Sequence, residues 1–296
     1  YAHGYRGAGF QFLTRVSRSG PVTAGTVTWP IADPFLADRP AGATHLRLHN
    51  LTAVDELALA DGPVPAFAKA PKSLRYSLRA RRGEDLSSQF VSVLEPFGDR
   101  PFIQSVRLLE SRMTADDASA AVQIVLADGR EDVVLIREHP GRLAAAGVAM
   151  DGRVAVLHRD ARGPLWARLF DGRSLRAGAA GIDLPATVTG RVAAVDDTDP
   201  TDLRLAVDSD TDLTRGDLVG RVIHVETAGV ADGSYRIERV IDARTLGLGP
   251  FSAIEGYVDP QDDAAGWRYV LRPGAAFRVP HSGAWGRPDA PTPGNR

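Results

Sequence analysis

The sequence predicts an all-β chain: an antiparallel two-layer β-sandwich followed by a smaller β-barrel-like domain. Three observations lead there. Period-two alternation of apolar and polar residues dominates, and long stretches of 3.6 period are missing. Glycine and proline are plentiful, with 30 and 20 copies in 296 residues, as many short strands and tight turns require. Asp-Gly pairs recur between apolar runs, and glycine takes the positive φ of a hairpin turn without steric cost.

In chain order, residues 74–80 alternate cleanly, with Leu74, Tyr76, Leu78 and Ala80 on one face and Arg75, Ser77 and Arg79 on the other. Runs over 90–94 and 102–108 read as strands joined by a turn over 96–101. The clearest hairpin joins 122–126 to 132–136 through Asp128-Gly129. Asp151-Gly152 and Asp171-Gly172 read as further turns of the same meander, and 110–119 as an exposed loop. A small, flexible join over 178–185 ends the sandwich, placed at 1–181. Short strands over 187–195, 203–207, 220–225, 235–241 and 245–248, with two more over 267–271 and 276–279, make the second domain, 186–280. Residues 281–296 carry no pattern and read as a disordered tail.

Composition narrows the function. Hydrophobic residues make up 44% and charged residues 24%, and the formal net charge of −2 gives no global reason to expect a nucleic-acid partner. The absence of cysteine excludes disulfides, thiolate metal sites and a cysteine nucleophile. No apolar run approaches the roughly 18 residues that suggest a membrane-spanning helix. There is no targeting signal in the chain, no nucleophile elbow, no phosphate-binding loop and no dinucleotide fingerprint.

Four groups of residues have types and spacings that suit chemistry. His45, Arg47 and His49 share a face if 45–50 is a strand; the two histidines then stand roughly 13 Å apart, too far to share one metal. They read as a carbohydrate-facing patch or as a solvated polar face with Leu46 and Leu48 inward. Lys69, Lys72, Arg75, Arg79, Arg81 and Arg82 form a basic run without an intervening acid. It reads either as a face gripping the carboxylate or sulfate groups of an anionic glycan, or as solvent-facing positions paired with Glu84, Asp85 or Glu95. His3, Tyr5 and Arg6 read as an active-site edge or as terminal packing residues. Asp208, Asp210 and Asp212 open like a calcium loop, but Leu213 stands where glycine is needed and Val219 where glutamate is needed, which excludes an EF-hand. A cation held by Asp196, Asp197, Asp199 and Asp202 competes with the commoner reading of an acidic turn. Trp29, Trp166, Trp267 and Trp285 are scattered along the chain.

The stretch from Leu74-Arg-Tyr-Ser-Leu-Arg-Ala-Arg-Arg-Gly-Glu-Asp-Leu to Phe90-Val-Ser-Val-Leu-Glu-Pro96, with Pro101-Phe-Ile-Gln-Ser-Val106 after it, resembles the C-terminal β region of heparinase II/III-like polysaccharide lyases. Tyr1-Ala-His-Gly-Tyr-Arg-Gly-Ala-Gly-Phe-Gln-Phe12, His45-Leu-Arg-Leu-His-Asn-Leu51 and the 190–248 region, with Gly233-Ser-Tyr-Arg-Ile237, fit the same likeness, which is densest over 72–110. It implies a protein made of an α-helical toroid, a two-layered sandwich of supersandwich-like type and a small β domain, periplasmic or secreted. Such a lyase cleaves uronic-acid polysaccharides, among them glycosaminoglycans, by β-elimination. A base takes the C5 proton, the neighbouring carboxylate is neutralised, and a donor protonates the leaving C4 oxygen.

The resemblance places the base-bearing residues in the toroid, and the motifs for a further histidine and a structural zinc early in the sandwich. Neither His-x-His-x-Asp-x-Gly nor Gly-Gly-x-x-His-Asp occurs here. The chain is therefore expected to begin downstream of both, with no catalytic residue, metal or cofactor of its own. Zinc and the toroid would then belong to a longer protein. The residues expected to bind anionic polysaccharide are His45, Arg47, His49, Arg75 and Arg79. The alternative is a carbohydrate-binding or purely structural β module.

Overall fold

The computed structural model describes residues 10–31, 44–63, 74–114, 117–199, 201–227, 230–259, 261–269 and 271–287. Among them every named strand pairing is antiparallel, and the only helical elements are two 3-10 turns, Phe10–Phe12 and Leu213–Arg215. No helix is long and apolar enough to cross a membrane.

Two three-stranded sheets come first. In one, Glu56–Gly62 lies between Thr14–Arg18 and Leu74–Ala80; in the other, Thr44–Asn50 lies between Gly25–Ile31 and Ser92–Phe97. The turn expected over 96–101 is tighter than expected. Pro96 and Phe97 finish an edge strand, where the missing N–H of proline is tolerated.

A seven-stranded sheet follows: six strands form a meander, Ile103–Met113, Ala118–Leu126, Glu131–Ala145, Val148–Asp160, Gly163–Ala177 and Ala180–Asp183, and Gly283–Gly286 joins from the end of the chain. The loop expected over 110–119 is mostly strand. The Asp128-Gly129 hairpin forms as expected: Gly129 has φ +83°, and Leu126 N–H donates to the carbonyl of Arg130 at 2.8 Å. The other two Asp-Gly pairs do not turn the chain. Reversal occurs instead at Ala146-Gly147, with φ of +50° and +78°, at Gly163 and at Gly178.

Gly152 and Gly172 lie opposite each other inside long strands, and Gly152 also registers with Gly141. This glycine row has a close-packing cause. A Cβ on Gly172 would come within 2.8 Å of both the Gly152 Cα and the Asp151 carbonyl oxygen. Bulges flank the row, and Asp171 takes φ +48°. Beyond it the strands fold back. Leu143, Val148, Met150, Leu175, Ala177 and Ile182 join Val133, Leu135, Leu157 and Leu169 in one cluster, so this single sheet supplies both layers of its core. Small and large side chains alternate across it in register, Ala121 to Leu135 to Ala155 to Leu169.

The join expected over 178–185 is also structured. Ala180–Asp183 is a strand whose Ala180 and Ile182 are buried. The tail expected from residue 281 is ordered at its start: Gly283–Gly286 pairs with Gly163–Ala177, and Trp285 packs on the sandwich core. Burial of one large apolar side chain, unremarkable among Gly and Pro in the sequence, holds this strand down. Residues 288–296 lie outside the described residues.

The second core belongs to another seven-stranded sheet, in spatial order Val230–Arg236, Val222–Thr227, Ala276–Val279, Val188–Asp196, Leu203–Asp208, Thr245–Gly249 and Arg239–Asp242. It is open and not a closed barrel. Tyr235 and Val240, from its two edge strands, still pack on the same buried cluster of Leu203, Leu205, Ile223, Leu246 and Phe277, so the sheet curls around its core. The strand expected over 235–241 is split at Ile237-Glu238, where Ile237 turns fully into that core. Ile254–Asp259 and Asp262–Tyr269 form a separate hairpin.

Candidate functional site

Strand Thr44–Asn50 puts His45, Arg47 and His49 on one face, opposite Phe97, Glu95 and Val93 of the neighbouring strand. That face is only partly exposed, and His49 and Glu95 on it are buried. Glu95 is wholly buried: Oε1 accepts the backbone N–H groups of Phe102 (2.8 Å) and Ile103 (2.7 Å), while Oε2 lies 3.0 Å from His49 Nε2 and 3.7 Å from Arg47. Burial opposes charge on Glu95, yet the Ile103 N–H, His49, the Phe102 N–H and Arg47 together hold its carboxyl below the ordinary range. Arg47 also donates to Thr28 Oγ1 at 3.2 Å and lies 5.1 Å above the Phe97 ring, on which His45 stacks. These contacts make a closed polar cluster.

Arg75 and Arg79 stand on a different sheet, so the five residues expected to bind glycan do not share one face. Arg75 and Arg15 both pair with buried Asp61, and Arg82 and Arg18 both pair with buried Glu56. The partners come from the adjacent strand, not from Glu84 or Asp85 downstream. Arg79 has no such acid; it donates to Ser92 Oγ and lies over the Phe90 ring. His3, Tyr5, Arg6, Lys69 and Lys72 lie outside the described residues. Asp212 caps the Leu213–Arg215 turn through Thr214 N–H, and Asp196 and Asp199 bind Thr198 and Thr201, as acidic turns do. Among the described residues no group of three or more His, Asp or Glu could hold a metal ion.

The site that the sequence left unmarked opens where the meander sheet bends. A cleft of about 920 Å³ lies between the outer face of that sheet and the curled sheet. Its floor is a register row across three strands, Ile136, Val154 and Phe170, with Ile136 and Phe170 each 41% exposed. Four arginines (Arg137, Arg153, Arg221 and Arg278) and His224 line it, against two acids, Glu138 and Asp171.

These cations are not equivalent. Arg137 is tied to Asp117 and to the carbonyls of His139 and Arg142, which pins the bulge around Pro140. Arg278 crosses to Asp171 and so joins the two sheets. Arg221 donates to the Asp217 carbonyl. Arg153 is exposed and has no ion-pair partner among the described residues. A cleft that offers a guanidinium without an ion-pair partner and an exposed aromatic ring can grip a carboxylate or sulfate and stack a sugar face. The sequence does carry a signal: Arg153 directly follows Gly152, and Phe170-Asp171 directly precedes Gly172, so both flank glycines of the bend. No protein-family model matches the chain, and a search of the curated proteins found no match.

Proposed function

We propose that this chain is the β-structured part of a heparinase II/III-like polysaccharide lyase, and that its own role is to hold a uronic-acid-containing polysaccharide in the cleft at the sheet bend. The observation that carries the reading is Arg153, without an ion-pair partner among the described residues, in a cleft that it shares with exposed Phe170 and where arginines outnumber acids. β-Elimination needs the uronate carboxylate neutralised before the C5 proton leaves, and a guanidinium does this with two parallel hydrogen bonds. The base and the proton donor would come from the helical part that the family likeness implies.

A binding-only module is the second reading, and one observation favours it. The one histidine lining the cleft is His224, and Ser234 already engages its Nδ1 at 2.9 Å. The test uses heparin, heparan sulfate and alginate. The chain is expected to be retained on columns of these polymers and to release no unsaturated uronate absorbing in the ultraviolet. Arg153→Ala with Phe170→Ala should abolish retention; equal retention of this double variant would remove the cleft from the proposal. Release of unsaturated product by the chain alone would overturn the division of labour.

A further inference from the structure

Of the basic run over 69–82, one described residue is both half-buried and free of any acid. Arg75 sits on Asp61 and Arg82 on Glu56, whereas the guanidinium of Arg79 lies 5.1 Å from the Phe90 ring centroid and donates from Nη1 to Ser92 Oγ at 2.5 Å. Desolvation pulls its pKa down, as expected for a charge withdrawn from water without a counter-ion.

The polar groups around it are unusual in the same direction. Ser77 Oγ and both polar atoms of the Asn50 side chain are buried without a hydrogen-bond partner, and Asn50 is only 2% exposed. Folded proteins leave few such groups, because each loses its hydration without replacement. Each is linked to Arg79 by its strand position, Asn50 through Ser92 and Ser77 along the same strand. Asn50 registers with Ser92, so their side chains share a face with Cβ atoms about 5 Å apart. Ser77 precedes Arg79 by two positions on its strand and shares its face, about 7 Å away.

We propose that Arg79, Ser77, Ser92 and Asn50 form an oxyanion-binding site between the two three-stranded sheets, separate from the cleft at the bend. It takes one carboxylate or sulfate group of an acidic ligand. Unused guanidinium N–H groups receive the charge in fork geometry, and the Asn50 amide and Ser77 hydroxyl add donors beside it. Arg75 and Arg82 cannot substitute, since buried acids already hold them, and Arg81 is exposed. The site does not depend on the cleft holding a polymer.

The test is an NMR titration of the full chain with sodium acetate and with sodium sulfate, at constant ionic strength against sodium chloride. The amide resonances of Ser77, Arg79 and Ser92 are followed. Saturable shifts are expected with at least one of the two anions, and the anion that saturates at lower concentration identifies the preferred group. Half-saturation should rise about tenfold or more in Arg79→Met, which corresponds to the loss of one charged hydrogen-bond pair. It should rise severalfold in Asn50→Ala and less in Arg79→Lys, which keeps the charge without the fork. Arg153→Ala should titrate like the natural chain, so loss of polymer retention in that variant and loss of anion binding here are separate results. Shifts no larger than those with chloride, or equal half-saturation in Arg79→Met and Arg79→Lys, overturn the proposal.

Discussion

The region before residue 98 and the bent sheet after it handle positive charge in opposite ways. In the first, buried acids gather five of the seven described arginines: Asp61 takes Arg15 and Arg75, Glu56 takes Arg18 and Arg82, and Glu95 takes Arg47 together with His49. In the second, the glycine bend opens a cleft whose lining holds more arginines than acids, with Arg153 facing solvent unpaired. A run of like charges along a strand is therefore a poor guide to a binding face. What decides is whether the next strand supplies a carboxylate at the same register. The comparison breaks most sharply at Glu95. Glu95→Ala strands His49, Arg47 and two backbone N–H groups in a buried place, and the expected loss is about 3–5 kcal/mol in the unfolding free energy from urea melts. A loss under about 1 kcal/mol, within the range of surface ion pairs, would show that the cluster is wet and that the contrast between regions is false.

Much of this was legible in the sequence, and the rest had specific reasons to hide. Alternation over 74–80 gave the strand Leu74–Ala80 with its boundaries, because the pattern is local. Asp128-Gly129 and Asp151-Gly152 look alike as dipeptides, yet one turns and the other sits inside a strand. Glycine permits both outcomes; the opposing Gly172 selects the second, since only there do two backbones approach closely enough to exclude a Cβ. The role of Glu95 depends on the chain over 102–103 folding across it, which no local pattern announces. Arg153 and Phe170 line one cleft only through a register set by bulges, so neither could be assigned to the other's site in advance.

Gly172→Val tests whether the bend makes the cleft. Its side chain would drive into the Asp151 carbonyl and the Gly152 backbone, neither of which is a flexible side-chain end. The expected cost is about 1–3 kcal/mol in unfolding free energy. Polymer retention should fall with it even at temperatures where the variant stays folded. A stable variant with full retention would separate the cleft from the glycine row.

His281 offers a gentler handle on the same joint. It lies between cleft-lining Pro280 and Ser282, its carbonyl accepts Gly172 N–H at 3.2 Å, and its Nδ1 is buried without a partner. Burial, then the charge of Arg221, push its pKa down, against weaker opposing pulls from Asp217 and the Ala186 backbone. A lowered imidazole pKa means that the unfolded chain binds the proton more readily than the folded one. The stabilisation is complete above the ordinary value of about 6.5 and is lost as pH falls from there through the folded value. Urea melts of the natural chain and His281→Gln at about pH 7.5 and about pH 5.5 should show the natural chain's advantage shrinking at the lower pH. An advantage that stays constant across that range would leave His281 without a part in the joint's pH response.

Arg153→Ala should have the smallest effect on stability and the clearest effect on binding. An exposed arginine without an ion-pair partner contributes little to folding, so the unfolding free energy should move by no more than about 0.5 kcal/mol. Arg75→Ala makes the matched experiment. It removes an equal charge, but one that Asp61 already holds, so stability should fall while retention on a uronate or sulfated-glycan column barely changes. If the two variants lose retention equally, the polymer reads net charge over the whole surface. If only Arg153→Ala loses it, the polymer reads the one cleft arginine without an ion-pair partner among the described residues.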